Sequence, residues 1–493
     1  MPELCGSPIC CWPRLVGLDC STFKEERDCG LRAVTYPDQT RFAFRSGVTC
    51  LTTPAGAVLL NPPRSEKLTR LTAGQLHALK TLNLGPATVA EISGLSEPAA
   101  GNEAGTLVSQ LADGGWLTVA VRDGEKDVYA LVPCGLPPPR PASSSISSVV
   151  LSKFAVLHRD SEGFVLEHPL SWCDVRIHDA RLLPLLDGSE NTNLPNAVAS
   201  QFIEDLRWSG MLVAVGDEDQ DFEALSWSAP DLWFHRRSTL GERNVTWEHF
   251  GPTKWAKGRF PQPPARTTKY SAKAVPLPVP DLADKRAQDP TLTAVLEDRV
   301  STRAFDDEHP ITIEQLAELL YRTARTRRTQ PVGEGEELLS RPYPSGGGSY
   351  ELELYPVVRH VAGLEAGMYH YDSFDHALRL VAAANSKAVS QLMKPAAATL
   401  TGGAEPQILI VMAARAGRIM WTYEQIGYAA ILKDVGVLMQ TIYLAATAMG
   451  LGACAQGFSD TAAFVAATGA DELQECSVGS IIVGSPARSQ PAG

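Results

Sequence analysis

Apolar positions recur at helical spacing in four places along the chain. Leu76, Leu79 and Leu82 mark one, and Leu107, Val108 and Leu111 a second. Leu316, Leu319 and Leu320 mark a third, and the run from Tyr428 to Met449 is the longest. Two of these helices open on a capping box, Thr72 with Gln75 and Thr312 with Gln315. Thr88 to Ile92 predicts a further short helix. Strand signals lie between them, at Arg41–Arg45, Ala57–Leu60, Trp116–Val121 and Gly210–Val215. Later strands are expected at Glu353–His360, Gly367–Tyr371 paired with Leu378–Val381, Ile408–Met412 and Ser477–Val483. The sequence from Arg341 to Tyr355, RPYPSGGGSYELELY, couples a bare glycine turn to an alternating polar–apolar segment. That coupling predicts exposed backbone at a strand end, where an anionic or flat ligand can approach N–H groups.

These elements arrange into an α+β chain of several parts. Three helices followed by a hairpin within residues 1–131 give a winged-helix-like pattern behind an N-terminal tail. A Pro/Ser-rich linker covers 132–149. Phe202 and Leu206 precede Gly210 as Leu107 and Leu111 precede Gly115, an offset of 95 residues. That recurrence predicts a second winged-helix-like module over 150–222. Residues 223–288 interleave aromatic, basic and proline residues and are expected to form an arm on a domain surface. A third domain occupies 289–493, with a central sheet.

Composition narrows the partners. The net charge is −12, and residues 1–130 carry 12 Lys+Arg against 14 Asp+Glu. A nucleic-acid or anionic-membrane surface is therefore not expected, and a peptide suits the N-terminal modules better. No apolar run is read as a membrane span and no signal peptide is read, which predicts a cytoplasmic protein. Six of the ten cysteines fall in the first 50 residues without a CxxC pair. Reduced thiols are expected there, and no metal site.

Candidate chemistry sits in the third domain. Arg299, Ser301 and Arg303 present two guanidiniums and a hydroxyl at alternate positions, a set suited to a phosphate. Ser345, Gly346 and Gly347 form the bare turn. Gly450–Gly457 closes the long helix and is expected to offer backbone N–H groups.

Together with Pro310–Ala324, Leu352–Tyr355, Gly367–Asp372 and Trp421–Gly457, these motifs resemble the flavin-dependent nitroreductase superfamily. They are most similar to its SagB-type (McbC-like) branch, the azoline dehydrogenases of ribosomal peptide biosynthesis. The resemblance covers about 200 residues from Asp289 onward. It implies a homodimer with FMN at the subunit interface, the phosphate and ribityl chain held by Arg299, Ser301 and Arg303. Pro344, Ser345, Gly346 and Gly347 would approach the isoalloxazine, with Gln440, Gln456 and Gly457 beside it and Arg488 adding a phosphate contact. The implied reaction is oxidation of a thiazoline or oxazoline in a precursor peptide whose leader binds the N-terminal modules, beside a possible cyclodehydratase partner.

The family's catalytic Lys–Tyr pair falls on Thr422-Tyr423. Tyr423 matches and Thr422 departs. Either another cation replaces the lysine, with Lys433 as candidate, or Tyr423 works by hydrogen bonding. Two other functions stay open at this point. One is an NAD(P)H-dependent nitroreductase-like enzyme, which would leave the N-terminal region without a role. The other is a non-catalytic scaffold.

Overall fold

The computed structural model describes residues 36–487, apart from 55, 63, 95–97, 141–147, 189–191, 241–249, 268–269 and 271–272. The N-terminal tail with its early cysteines, and Arg488, lie outside the described residues. The chain divides into two compact units, Met1–Leu232 and Trp233–Gly493.

In the first unit, the capping box expected at Thr72 forms, and the short helix expected from Thr88 opens on a second one. Thr72 and Gln75 close the helix Ala73–Leu84, and Thr88 and Glu91 close Val89–Ser93. The helix Pro98–Asp113 follows, then the hairpin of Leu117–Asp123 and Lys126–Pro133. The second half departs from the expected order. Strands Val156–Arg159, Phe164–Glu167 and Cys173–Ile177 come first, and one long helix, Asn196–Trp208, comes after them. These strands join Lys126–Pro133, so one seven-stranded sheet runs through both halves.

The 95-residue recurrence has a local cause. The Trp116 N–H donates to Leu111 O and the Gly115 N–H to Ala112 O; the Met211 N–H donates to Leu206 O and the Gly210 N–H to Arg207 O. Each is a Schellman helix stop, with glycine in the left-handed region at φ 68° and 74°. Trp116 and Met211 bury against the leucines they follow. The strands that come next lie in different sheets, so the shared spacing reports the cap rather than a repeated module.

The second unit is built on an antiparallel seven-stranded sheet. Its order is Ala274–Pro276, Ala377–Ala383, Gly367–Asp372, Leu352–Val358, Ile408–Ala414, Cys476–Gly484 and Gly452–Gln456. Helices cover both faces. Leu316, Leu319 and Leu320 of Ile313–Ala324 and Leu438 and Ile442 of Gly427–Ala448 pack on Leu354, Ile410 and Met412. Val389, Leu392 and Phe464 pack on Tyr355, Val357, Leu409 and Val411 from the other side. Two covered faces explain why Ile408–Ala414 is one unbroken apolar run, buried throughout. They also bury both polar positions of the alternating segment, Glu351 and Glu353.

Two further expectations change. Gly452–Gln456 is an edge strand paired with Cys476–Gly484, so part of the backbone expected to face a ligand is spent on the sheet. Residues 427–448 do form a helix long and apolar enough to span a membrane. Its Ile431, Val435, Leu438, Ile442 and Ala446 belong to the core beneath the sheet.

The expected arm starts as two short helices, Phe222–Ser226 and Ala229–Arg237. From Phe250 to Arg266 it runs over the second unit as a strap. The Trp255 indole donates to Met420 O at 2.6 Å, and the Lys254 N–H to Thr422 O at 2.8 Å. The Trp421 indole donates back to Phe260 O at 2.9 Å. Lys254 is held at φ 53°, and its ammonium and that of Lys257 both grip Glu336.

Candidate functional site

The glycine turn packs against one short segment, Ala416–Tyr423. The first cause is steric. Gly347 has φ +57°, and a Cβ there would lie 2.8 Å from the Tyr423 hydroxyl. Only glycine fits where the phenol lies on the turn. Gly346 meets Ile419 in the same way, at 3.1 Å. The Gly346 N–H donates to the Asp434 carboxylate at 2.9 Å, which pins the turn to the long helix. Ser345 does not face outward: its hydroxyl accepts from the Tyr350 N–H at 3.0 Å and donates to Glu351 at 3.3 Å. Pro344 is exposed beside it.

Tyr423 is positioned from behind by the strap, through Met420 O, Trp421 and Thr422 O. Arg418 secures the same segment. Its buried guanidinium donates to Ser349 O at the end of the turn, to Pro263 O in the strap and to Glu337 O in a neighbouring hairpin. Burial lowers that guanidinium to about 10, and it stays cationic at neutral pH.

Charge is distributed unevenly here. Burial raises the Tyr423 phenol, and the Asp434 carboxylate raises it further. Glu351 and Glu353, two residues apart, go in opposite directions. Burial pushes Glu353 up, but the hydrogen bond and charge of His370, with Arg341 and Arg415, outweigh it and hold the group below the usual glutamate range. Glu351 meets no such cation. Burial pushes it up, and Asp434 adds to the rise through its charge and a hydrogen bond.

The expected phosphate group assembles elsewhere. The Arg299 guanidinium lies 5.3 Å over the Tyr443 ring, and the Ser301 hydroxyl is 3.0 Å from the Tyr443 hydroxyl. That hydroxyl accepts from the Ala455 N–H at 2.7 Å. The Thr302 N–H donates to Ala453 O, and Gly452 leaves room for Thr302, 2.6 Å from where a Cβ would stand. Arg303 projects into solvent. Gln456 is turned inward, bonded to Thr399 and to Cys454 O, while Gly457 is exposed.

The structure therefore forms two clusters, Arg299–Ser301 with Tyr443, and Ser345–Gly347 with Tyr423. The long helix touches both. Asp434 and Tyr443 are nine residues apart on it, about 13 Å along the axis and half a turn out of phase. Lys433 and Gln440 are exposed on that helix. Lys433 is the neighbour of Asp434 in sequence, but its side chain points to solvent while Asp434 faces the turn.

Sequence reasoning missed Glu351, Asp434, Arg418 and Trp255. Only Asp434 left a signal, as an acid within an otherwise apolar helix.

Comparison with known proteins gives the following. The nitroreductase family model matches residues 296–485, and the cyanobactin oxidase ThcOx model matches residues 149–244. The trifolitoxin-processing protein TfxB of Rhizobium leguminosarum bv. trifolii is 27% identical over 275 residues, 52% of this chain and 71% of that protein. A Methanocaldococcus jannaschii protein named as a nitroreductase, MJ1384, is 29% identical over 179 residues, 36% of this chain and 82% of its own length. Among solved structures, a nitroreductase with bound FMN from Desulfitobacterium hafniense is 17% identical over 41% of this chain and 92% of that one, with TM-score 0.26.

Proposed function

From a nitroreductase-family domain at residues 296–485, joined to a region of cyanobactin-oxidase type, we propose that this chain is an FMN-dependent azoline dehydrogenase. It would oxidise thiazolines or oxazolines in a ribosomally made peptide to the aromatic rings. One observation carries the reading: a phenol, Tyr423, packs on an exposed glycine turn, on the segment where the family resemblance sets its catalytic pair. The likeness to a trifolitoxin-processing protein over half the chain supports a peptide as substrate.

The residues fit the cofactor. Gly347 is exposed beside the Tyr423 phenol and carries no side chain, which suits the approach of a flat ring. Arg299, half-buried over Tyr443, and the solvent-facing Arg303 suit a phosphate, with Ser301 beside the ribityl chain and Arg488 a further candidate. When bound, FMN would accept the two electrons of the oxidation. Tyr423 would orient the ring and handle its proton, and the turn would keep side chains out of the space between them. With the two clusters half a turn apart on one helix, a homodimer would complete the site. Leu292, Leu296 and Val300, with Leu432 and Val437 on the long helix, are exposed apolar groups suited to that pairing. In the N-terminal unit, three helices followed by a hairpin suit a winged-helix peptide-binding module that would hold a leader.

The test is the visible spectrum of the purified protein under anaerobic conditions. Bleaching of a flavin band by an azoline-containing peptide is the expected result. Bleaching by NAD(P)H alone would favour a reductase, the reading that the Methanocaldococcus protein's name supports. A protein that neither holds nor acquires FMN would leave a scaffold. Leader recognition predicts a much lower KM for a leader-bearing peptide than for a short azoline; equal KM values would make the N-terminal unit structural.

A further inference from the structure

The resemblance leaves Tyr423 without the lysine expected at position 422, and the structure supplies no cation at the phenol among the described residues. It supplies an acid pair instead. Glu351 is fully buried. Its Oε2 accepts from the Ser345 hydroxyl, while its Oε1 is buried with no hydrogen-bond partner. A buried carboxylate oxygen with no donor is costly, and a proton on it removes the cost by turning it into a donor. The acceptor is at hand, because Asp434 stands beside Glu351. Asp434 also takes the Gly346 N–H and bears on the Tyr423 phenol. Tyr343, buried in the same wall, is the other titratable group that feels Glu351.

We propose that Glu351 and Asp434 are a one-proton carboxyl pair beneath the glycine turn. Glu351 keeps the proton and directs it at Asp434, which also accepts from the Gly346 N–H. The pair does not depend on the azoline reading.

Two measurements on the full-length protein test it. At neutral pH the infrared spectrum should contain a protonated-carboxyl band that disappears in Glu351→Gln, a variant whose amide still donates to Asp434. Absence of that band in the wild type, or its survival in Glu351→Gln, overturns the pair. Ultraviolet titration should show the Tyr423 phenol, identified by its loss in Tyr423→Phe, ionising at lower pH in Asp434→Asn. An unmoved phenol overturns the contact.

Discussion

Replacing Gly347 with alanine tests the central contact of the site. The cost has two parts. A left-handed residue other than glycine costs about 1–2 kcal/mol, and Gly347 stands at φ +57°. The new methyl would then lie 2.8 Å from the Tyr423 hydroxyl, 3.1 Å from Cε2 and 3.4 Å from Cζ. Overlap of that kind forces a shift costing about 1–3 kcal/mol in a packed site. Gly402→Ala separates the two parts, since Gly402 has φ +68° and open space around it. Denaturant unfolding should therefore show Gly347→Ala destabilised by about 3 kcal/mol and Gly402→Ala by about 1. In a Tyr423→Phe background the nearest atom is gone, and the Gly347→Ala penalty should shrink by about 1 kcal/mol, a coupling expected only of residues in contact. Flavin content and kcat should fall with the same variant. Equal costs at the two glycines, or no coupling to Tyr423, would refute the claim that the phenol lies on the turn.

Arg418→Met removes three donors from buried carbonyls in the strap, the hairpin and the turn, and should destabilise by about 3–5 kcal/mol in denaturant unfolding, at roughly 1–2 for each carbonyl left unpaired. A loss under 1 kcal/mol would mean that water replaces the guanidinium. The Glu351 carboxyl is raised on folding, so the folded state binds more protons than the unfolded one. Its contribution is complete below the usual glutamate range and is lost as pH rises toward about 7, at up to about 1.4 kcal/mol per pH unit. Glu351→Gln should flatten that part of the stability profile, and an unchanged profile would assign the slope to another group. Arg303→Ala should release FMN, read by absorbance after gel filtration, while leaving the elution volume unchanged; full flavin occupancy would remove Arg303 from the phosphate site.

What the sequence revealed depended on how local each signal was. Helix stops and starts were legible because their chemistry lies within six residues. Thr72 with Gln75 and Thr312 with Gln315 closed as capping boxes, and the Leu–Gly–apolar spacing before Gly115 and Gly210 marked two real helix ends. The same spacing misled at longer range, because a Schellman stop says nothing about which sheet the next strand joins. The glycine turn was legible as bare backbone, but its use was not, for three segments far apart in the chain meet there. The strap arrives at residues 254–265, the tyrosine at 423 and the acid at 434. Alternation made Glu351 look like a surface residue, and only the helices covering both faces of the sheet bury it beside Asp434. The missing lysine shows why this matters. A pairwise motif such as Lys–Tyr can be found from adjacent letters, and its loss at Thr422 reads as a defect. A carboxyl acting on the same phenol from a different helix leaves no adjacent letters to read.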